Sequence, residues 1–225
     1  MESVKHRIRV FEHEFDVYDK PNSQTPFFVA RELNADPCGL NEVKDEKLDL
    51  VVDVGANTGI FSVYCSKMFP DATIHAIEPW PDNYENLCKT LEENKCKNVT
   101  PHNFAITGQT RPMTLGEPQN NSGATSFIFA ALDAKPIAGL SIKDFMNEII
   151  PGKDIDFLKL DVERMEYEII AGFNEWTRIK HLSVELHGLF PYPPFLWRPT
   201  LNAFLGHLKN IPIKGNLWTN DIDSL

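Results

Sequence analysis

The stretch LVVDVGANTGIF, Leu50 to Phe61, decides the fold. Leu50, Val51, Val52 and Val54 form a short apolar run broken only by Asp53. The run stops at Gly55, and Ala56, Asn57, Thr58 and Gly59 lead into a second apolar segment. A run of this length that ends in glycine reads as a strand buried on both faces, and the segment after Gly59 reads as the helix that follows it. Small residues at the joint let a ligand come close to the backbone, where the free N–H groups of a helix start are available to it. Glu78 closes the next apolar run, TIHAIEP. In open parallel sheets ligands lie beyond the carboxyl ends of the strands, and an acid ending the second strand is placed to accept hydrogen bonds from both hydroxyls of a ribose.

Two ligand classes carry such a ribose, the dinucleotides and S-adenosyl-L-methionine. The dinucleotide fingerprint is G-x-G-x-x-G, whose second glycine lets the backbone reach a pyrophosphate. Here the turn reads Gly55-Ala56-Asn57-Thr58-Gly59, with Asn57 in the middle position. That pattern, with Asp53 two residues before the first glycine, fits a ligand that has no pyrophosphate and has an amino-acid moiety to hold. S-adenosyl-L-methionine is such a ligand. A NAD-dependent oxidoreductase stays as the rival enzyme, and tight packing alone is the bland account of the glycines.

Outward from this stretch, short apolar runs alternate with amphipathic segments, as in βαβ units. Strands are expected at LDLVVDVG, TIHAIEP, VTPHNFAI, FLKLDV and HLSVELH. Helices are expected at GIFSVYCSKMF, PDNYENLCKTLEENK, SIKDFMNEII and RMEYEIIAGF. Asp82 is expected to cap the second of these helices, Ser141 with Asp144 to form a capping box on the third, and Gly172 to end the fourth. Residues 113–132, rich in Asn, Gly and Ser, suggest an irregular segment or hairpin. The proline-rich FPYPPFLWRP reads as a loop, followed by a helix near Thr200 to Leu208 and a last short strand. The fold class is therefore α/β, a mostly parallel sheet with helices on both faces. Residues 1–47 form an N-terminal hairpin or cap region and 48–225 the main domain, within one structural domain.

The formal net charge of −10 argues against a protein that tracks nucleic-acid phosphates. The N-terminus lacks the apolar core of a signal peptide, and no apolar run is long enough to span a bilayer, so a cytoplasmic protein without membrane partners is expected. Cys38, Cys65, Cys88 and Cys96 show neither C-x-x-C pairing nor zinc-finger spacing and read as reduced thiols.

From Leu50 to His187 the chain resembles the FkbM-type S-adenosylmethionine-dependent methyltransferases. The resemblance rests on VVDVGANTGIFS, IHAIEPWPDNYENLCKTLEEN, VTPHNFAI, and IDFLKLDVERMEYEIIAGF followed by LSVELH, in this order and spacing. It implies a Rossmann-like class I methyltransferase fold and methylation of a hydroxyl oxygen on a small molecule such as a sugar or secondary metabolite. It also implies that Asp53, Gly55, Ala56, Asn57 and Gly59 surround the methionine end of the cofactor, that Glu78 holds its ribose, and that Asn103 to Ala105 lie near its adenine. Arg164 departs from the family, which usually has glycine after DVE; this leaves a catalytically silent cofactor-binding or partner module as an alternative.

Strand periodicity sends Lys159, Asp161 and Glu163 to one side, and Ser183, Glu185 and His187 to one side of the neighbouring strand. Charges inside apolar strands are costly unless paired or metal-bound. Asp161, Glu185 and His187 are accordingly the candidates for catalysis. They either bind a divalent metal, Mg or Mn, or act directly on an acceptor hydroxyl, with His187 as a general base near its natural pKa. Ion pairing of Lys159 with an acid is the simpler account.

Overall fold

The computed structural model describes residues 2–36, 38–114, 136–163, 165–187 and 214–218. Arg164, the FPYPPFLWRP segment and the helix expected near Thr200 to Leu208 lie outside the described residues.

Alternation at the N-terminus produces the expected hairpin. Strand β1 (Val4–Val10) pairs antiparallel with β2 (His13–Asp19), from Val4 opposite Asp19 to Val10 opposite His13. Ile8, Val10, Phe15 and Val17 are buried, and each such side chain stabilises its placement by roughly 1.5–3 kcal/mol. Helix α1 (Thr25–Ala35) follows the hairpin, and the short α2 (Leu40–Val43) follows it.

Strand β3 (Leu50–Val54) is buried at every residue, as a central parallel strand must be. Its neighbours in the chain are α3 (Ile60–Met68), β4 (Thr73–Ile77) and α4 (Pro81–Glu93). Asp82 does not cap α4: the cap position is Trp80 and Pro81 takes the first helical position, its fixed φ suiting it to that place. Asp82 instead sits one residue inside, where its charge meets the positive end of the helix.

The expected strand VTPHNFAI is two strands, β5 (Val99–His102) and β6 (Ala105–Thr107). Asn103 turns the chain between them by donating its side-chain amide to the carbonyls of Glu78 and Pro79, and Ala105 N–H then bonds to Ala138. Strands β7 (Met113–Thr114) and β8 (Pro136–Ile137) pair antiparallel, and β9 (Gly139–Ser141) pairs parallel with β6. Ser141 caps α5 (Ile142–Glu148), its Oγ accepting from Asp144 N–H at 3.0 Å. Strand β10 (Ile155–Leu160), α6 (Glu166–Gly172), β11 (Ile179–Glu185) and β12 (Lys214–Trp218) complete the described elements.

The main sheet has six strands in the order β12-β11-β10-β3-β4-β5, every pairing parallel. Strand β3 lies between β4 and β10, so the connections diverge beside it and open a crevice at its carboxyl end. Two cores flank the sheet. Leu50, Val52 and Val54 face one, with α5 and α6; Val51 faces the other, with the hairpin, α1, α3 and α4. This is the Rossmann-like α/β architecture expected from the sequence, with helices on both faces.

Candidate active site

The turn after β3 is built from left-handed backbone, with φ of 83° at Gly55, 50° at Asn57 and 90° at Gly59. Gly55 and Ala56 N–H both donate to Ile77 O, at 2.9 and 3.0 Å, and so tie the turn to the end of β4. Space is as tight as the dihedrals. A Cβ on Gly55 would lie 1.7 Å from the carbonyl oxygen of Asp161, and one on Gly59 would lie 2.6 Å from Leu87 Cδ1.

Glu78 spans this turn and the next helix. Its Oε2 accepts from Asn57 N–H and its Oε1 from Trp80 N–H, both at 2.8 Å, and burial raises its pKa to about 7. The Asn83 side chain also hydrogen-bonds to this carboxylate, which, with about four acceptor positions in all, remains able to take a ribose hydroxyl. Asn103 is exposed beside it, while Ala105 is buried in β6.

Asp53 is wholly buried, its Oδ2 accepting from Ser62 Oγ at 2.6 Å and its Oδ1 3.8 Å from Lys159 Nζ. Burial raises its pKa. Its carboxylate thus meets Ser62 and Lys159 inside the fold. Asn57 Oδ1 and Thr58 Oγ1 are different: both are buried and have no hydrogen-bond partner. Buried polar atoms of native proteins are nearly always paired, so two orphans on one glycine turn fit a polar ligand that supplies the missing partners.

On the other side of β3 the carboxyl ends of β10 and β11 carry charge. Lys159 Nζ donates to Asp161 Oδ2 at 2.7 Å and lies over the Phe61 ring, so the simple account of Lys159 as an ion pair is correct. The other oxygen of Asp161 faces the neighbouring strand end. His187 Nε2 stands 3.9 Å from Asp161 Oδ1, 3.7 Å from Glu185 Oε1 and 3.7 Å from Glu163 Oε2. One atom each of Asp161, Glu185 and His187 falls within 4.8 Å of the others.

The ring is fixed from behind. His187 Nδ1 lies 2.8 Å from Glu166 Oε1, which also accepts from Val162 N–H at 3.0 Å. Burial disfavours charge on His187, but the Glu166 hydrogen bond and the charges of Glu166, Glu163 and Asp161 outweigh it and raise its pKa to about 10. His187 therefore does not titrate near its ordinary value, contrary to the expectation for a simple general base. Burial and the Asp161 charge push Glu185 up to about 9. Asp161 is lowered, because Lys159 and His187 overcome the cost of burial.

Periodicity placed Glu163 on the right side for the wrong reason. The strand ends at Leu160, and a left-handed φ of 50° at Glu163 accompanies its approach to the ring. Glu166 had no signal in the sequence, where a glutamate at a helix start reads as solvated.

A family model described as the Methyltransferase FkbM domain matches residues 53–204. The chain belongs to this family. Among relatives, Methyltransferase 1 of Beauveria bassiana (strain ARSEF 2860) is 26% identical over 197 residues, covering 77% of this chain and 78% of its own. The 31-O-demethyl-FK506 methyltransferase FkbM of Streptomyces tacrolimicus is 28% identical over 192 residues, covering 71% and 74%. Among solved structures, the precorrin-6y C5,15-methyltransferase of Geobacter metallireducens GS-15 aligns with a TM-score of 0.45 at 17% identity, over 80% of this chain and 70% of that one.

FkbM membership makes the protein an S-adenosylmethionine-dependent methyltransferase and removes the dinucleotide alternative. Asn57 at the middle of the glycine turn is the residue that weighed against a dinucleotide in the sequence. No helix among the described residues is long and apolar enough to cross a membrane.

Proposed function

We propose that this FkbM methyltransferase methylates a hydroxyl oxygen of a small molecule, with Asp161, Glu185 and His187 receiving the acceptor. The observation that carries this reading is the convergence of these three groups within 4.8 Å, on a strand end whose Asp161 carbonyl packs against Gly55. Cofactor turn and charged cluster are thereby adjacent. Bound S-adenosyl-L-methionine supplies an activated methyl group: the acceptor oxygen forms the new C–O bond while the C–S bond breaks and its electron pair stays on sulfur.

The chain's own task is to hold the acceptor in line and to manage its proton. Gly55, Ala56, Asn57 and Gly59 form the floor for the methionine end, Asn57 Oδ1 and Thr58 Oγ1 offering acceptors to it. Glu78 would hold the ribose and exposed Asn103 would lie beside the adenine, with Ala105 buried behind it. Asp161, kept ionised by Lys159, accepts the hydrogen bond of the acceptor hydroxyl and takes its proton as the C–O bond forms. A divalent cation held by Asp161, Glu185 and His187 would acidify the same hydroxyl. The O-demethyl substrate in the name of the Streptomyces relative supports oxygen as the acceptor atom. The net charge of −10 favours a small molecule over nucleic acid, and the free Cys38, Cys65, Cys88 and Cys96 favour a reducing compartment, the cytoplasm.

The test is methyl transfer to a panel of hydroxyl and amine acceptors, run beside calorimetry with S-adenosylhomocysteine. Asp161→Ala and His187→Ala are expected to lower turnover on a hydroxyl acceptor by about 10²–10⁴-fold while the folded variants still bind S-adenosylhomocysteine. Unchanged turnover in both variants, or transfer to amines alone, would sink the proposal.

A further inference from the structure

Helix α1 has three flanks with different neighbours. Val29, Ala30 and Leu33 pack into the core with Phe61 and Phe157. Phe27 and Asn34, seven residues apart and so on one stripe, face the hairpin. The Phe27 ring meets His6 edge-on at 5.9 Å, and the Asn34 side chain bonds to Phe11 N–H and Arg9 O. The third flank carries Phe28 and Glu32, four residues apart and neighbours on the helix surface. Phe28 is 61% exposed, the highest value of any large apolar side chain among the described residues. One exposed phenylalanine needs no explanation by itself. Its position is what gives this one meaning.

The third flank looks toward the charged ends of β10 and β11. Phe157 lies in the core that α1 covers, and its ring stacks on His181 in the neighbouring strand. Strand alternation carries that face from Phe157 to Lys159 and from His181 to Ser183 and Glu185. Lys159 keeps to it, with Nζ over the Phe61 ring and a hydrogen bond to Asp161. The acceptor cluster therefore stands on the α1 side of the sheet. Glu32 is the residue of α1 that reaches it: burial and the Asp161 charge raise the pKa of Glu185, and the charge of Glu32 adds to them. Phe28 lies one turn, about 6 Å, further along the helix. Sites for small molecules are lined mainly by apolar and aromatic side chains, with a few polar groups that fix orientation. Asp161 and His187 supply the polar groups, and Phe28 is an apolar surface beside them.

We propose that Phe28 is a specificity-determining residue whose ring receives the apolar carbon skeleton of an acceptor with its hydroxyl at Asp161. The substrate class is then an alcohol or phenol carried on an apolar ring system, in place of a free sugar with hydroxyls all round. This deepens the reading of the cluster as the acceptor site and rests on it. The Phe28 ring stands clear of the core, so its apolar area is taken from water only when a ligand covers it.

The experiment uses the full chain saturated with S-adenosylhomocysteine and titrated calorimetrically with two probes. One is 2-naphthol, an apolar ring system with a single hydroxyl; the other is methyl β-glucoside, whose hydroxyls lack such a system. Wild type, Phe28→Ser, Phe28→Trp and Phe27→Ser are compared, with S-adenosylhomocysteine affinity measured first on each. One 2-naphthol per chain is expected, bound at least about tenfold tighter than the glucoside. Phe28→Ser should weaken it about 10–100-fold and Phe28→Trp should restore it. Phe27→Ser, on the hairpin flank, should leave it within about threefold, and S-adenosylhomocysteine affinity should stay the same throughout. For apolar alcohols that are methylated, the Phe28→Ser loss should appear in KM and not in kcat.

Binding of 2-naphthol that is no tighter than that of the glucoside, or that survives Phe28→Ser, overturns the proposal. An equal loss in Phe27→Ser overturns it by making the effect one of general apolar adhesion. Loss of S-adenosylhomocysteine binding in Phe28→Ser overturns it by giving the ring to the cofactor. Self-association of the wild type that Phe28→Ser abolishes overturns it in favour of a second copy of the chain. Unchanged turnover in Asp161→Ala and His187→Ala, with 2-naphthol binding still dependent on Phe28, strikes the catalytic reading alone.

Discussion

The two flanks of β3 are built by opposite means. Toward β4, the glycine turn is made by backbone: left-handed dihedrals, N–H groups held by Ile77 O, and one carboxylate, Glu78, joining two N–H groups. Toward β10 and β11, position is set by side-chain charge, with Lys159 between Asp53 and Asp161 and His187 among carboxylates. A backbone device tolerates almost no added atom. A charge device tolerates shape changes but not the loss of one partner.

The sharpest way to break the contrast is Lys159→Met, which keeps the bulk of the side chain and removes the cation. Buried Asp53 and half-buried Asp161 then lose their common partner, and stability should drop by about 3–5 kcal/mol, measured by urea unfolding. A change under about 1 kcal/mol would show that the charged flank is not held as described. On the backbone flank, Gly55→Ala combines a strained dihedral with a Cβ 1.7 Å from Asp161 O. It should cost roughly 2–4 kcal/mol and abolish S-adenosylhomocysteine binding at concentrations that saturate the wild type.

Glu78 sharpens the contrast through pH. Its folded-state pKa is raised to about 7, mainly by burial, so it holds its proton where an unfolded glutamate has lost it. Its contribution to stability is therefore present below the unfolded pKa and lost as pH rises through about 7. A ribose bound by the carboxylate reverses the preference: S-adenosylhomocysteine affinity should fall as pH drops below about 7, by at most about tenfold per unit. Calorimetry between pH 6 and 8.5 checks it, and a profile left unaltered by Glu78→Gln would assign the dependence elsewhere. The smallest effect is expected from Asn57→Gly, which relieves a left-handed residue and deletes an orphaned oxygen. Stability should rise by about 0.5–1 kcal/mol while ligand affinity falls several-fold. A rise in both would remove Asn57 Oδ1 from the ligand's partners.

The backbone flank was the more legible in sequence, because glycine spacing and an all-apolar strand are local signals. Ser141 as the cap of α5 was legible for the same reason. Asp82 was misassigned because a capping acid and an acid in the first helical turn look alike until Pro81 is placed. VTPHNFAI reads as one strand because nothing local shows that Asn103 will bond to Glu78 and Pro79. The charged flank was half legible. Clustered acids at strand ends pointed to Asp161, Glu185 and His187, but the pKa of His187 depends on Glu166, twenty-one positions away in the chain and met only after folding.

Asp161 belongs to both flanks at once. Its carbonyl oxygen fills the space a side chain on Gly55 would need, and its carboxylate faces His187. For diversification within such a fold, this separates two kinds of change. Exchanging the side chain at position 161 removes the partner of Lys159 and His187 and leaves the carbonyl where it was. Inserting one residue between Leu160 and Asp161 moves the carbonyl off Gly55, so the spacing here is held more tightly than the side chain.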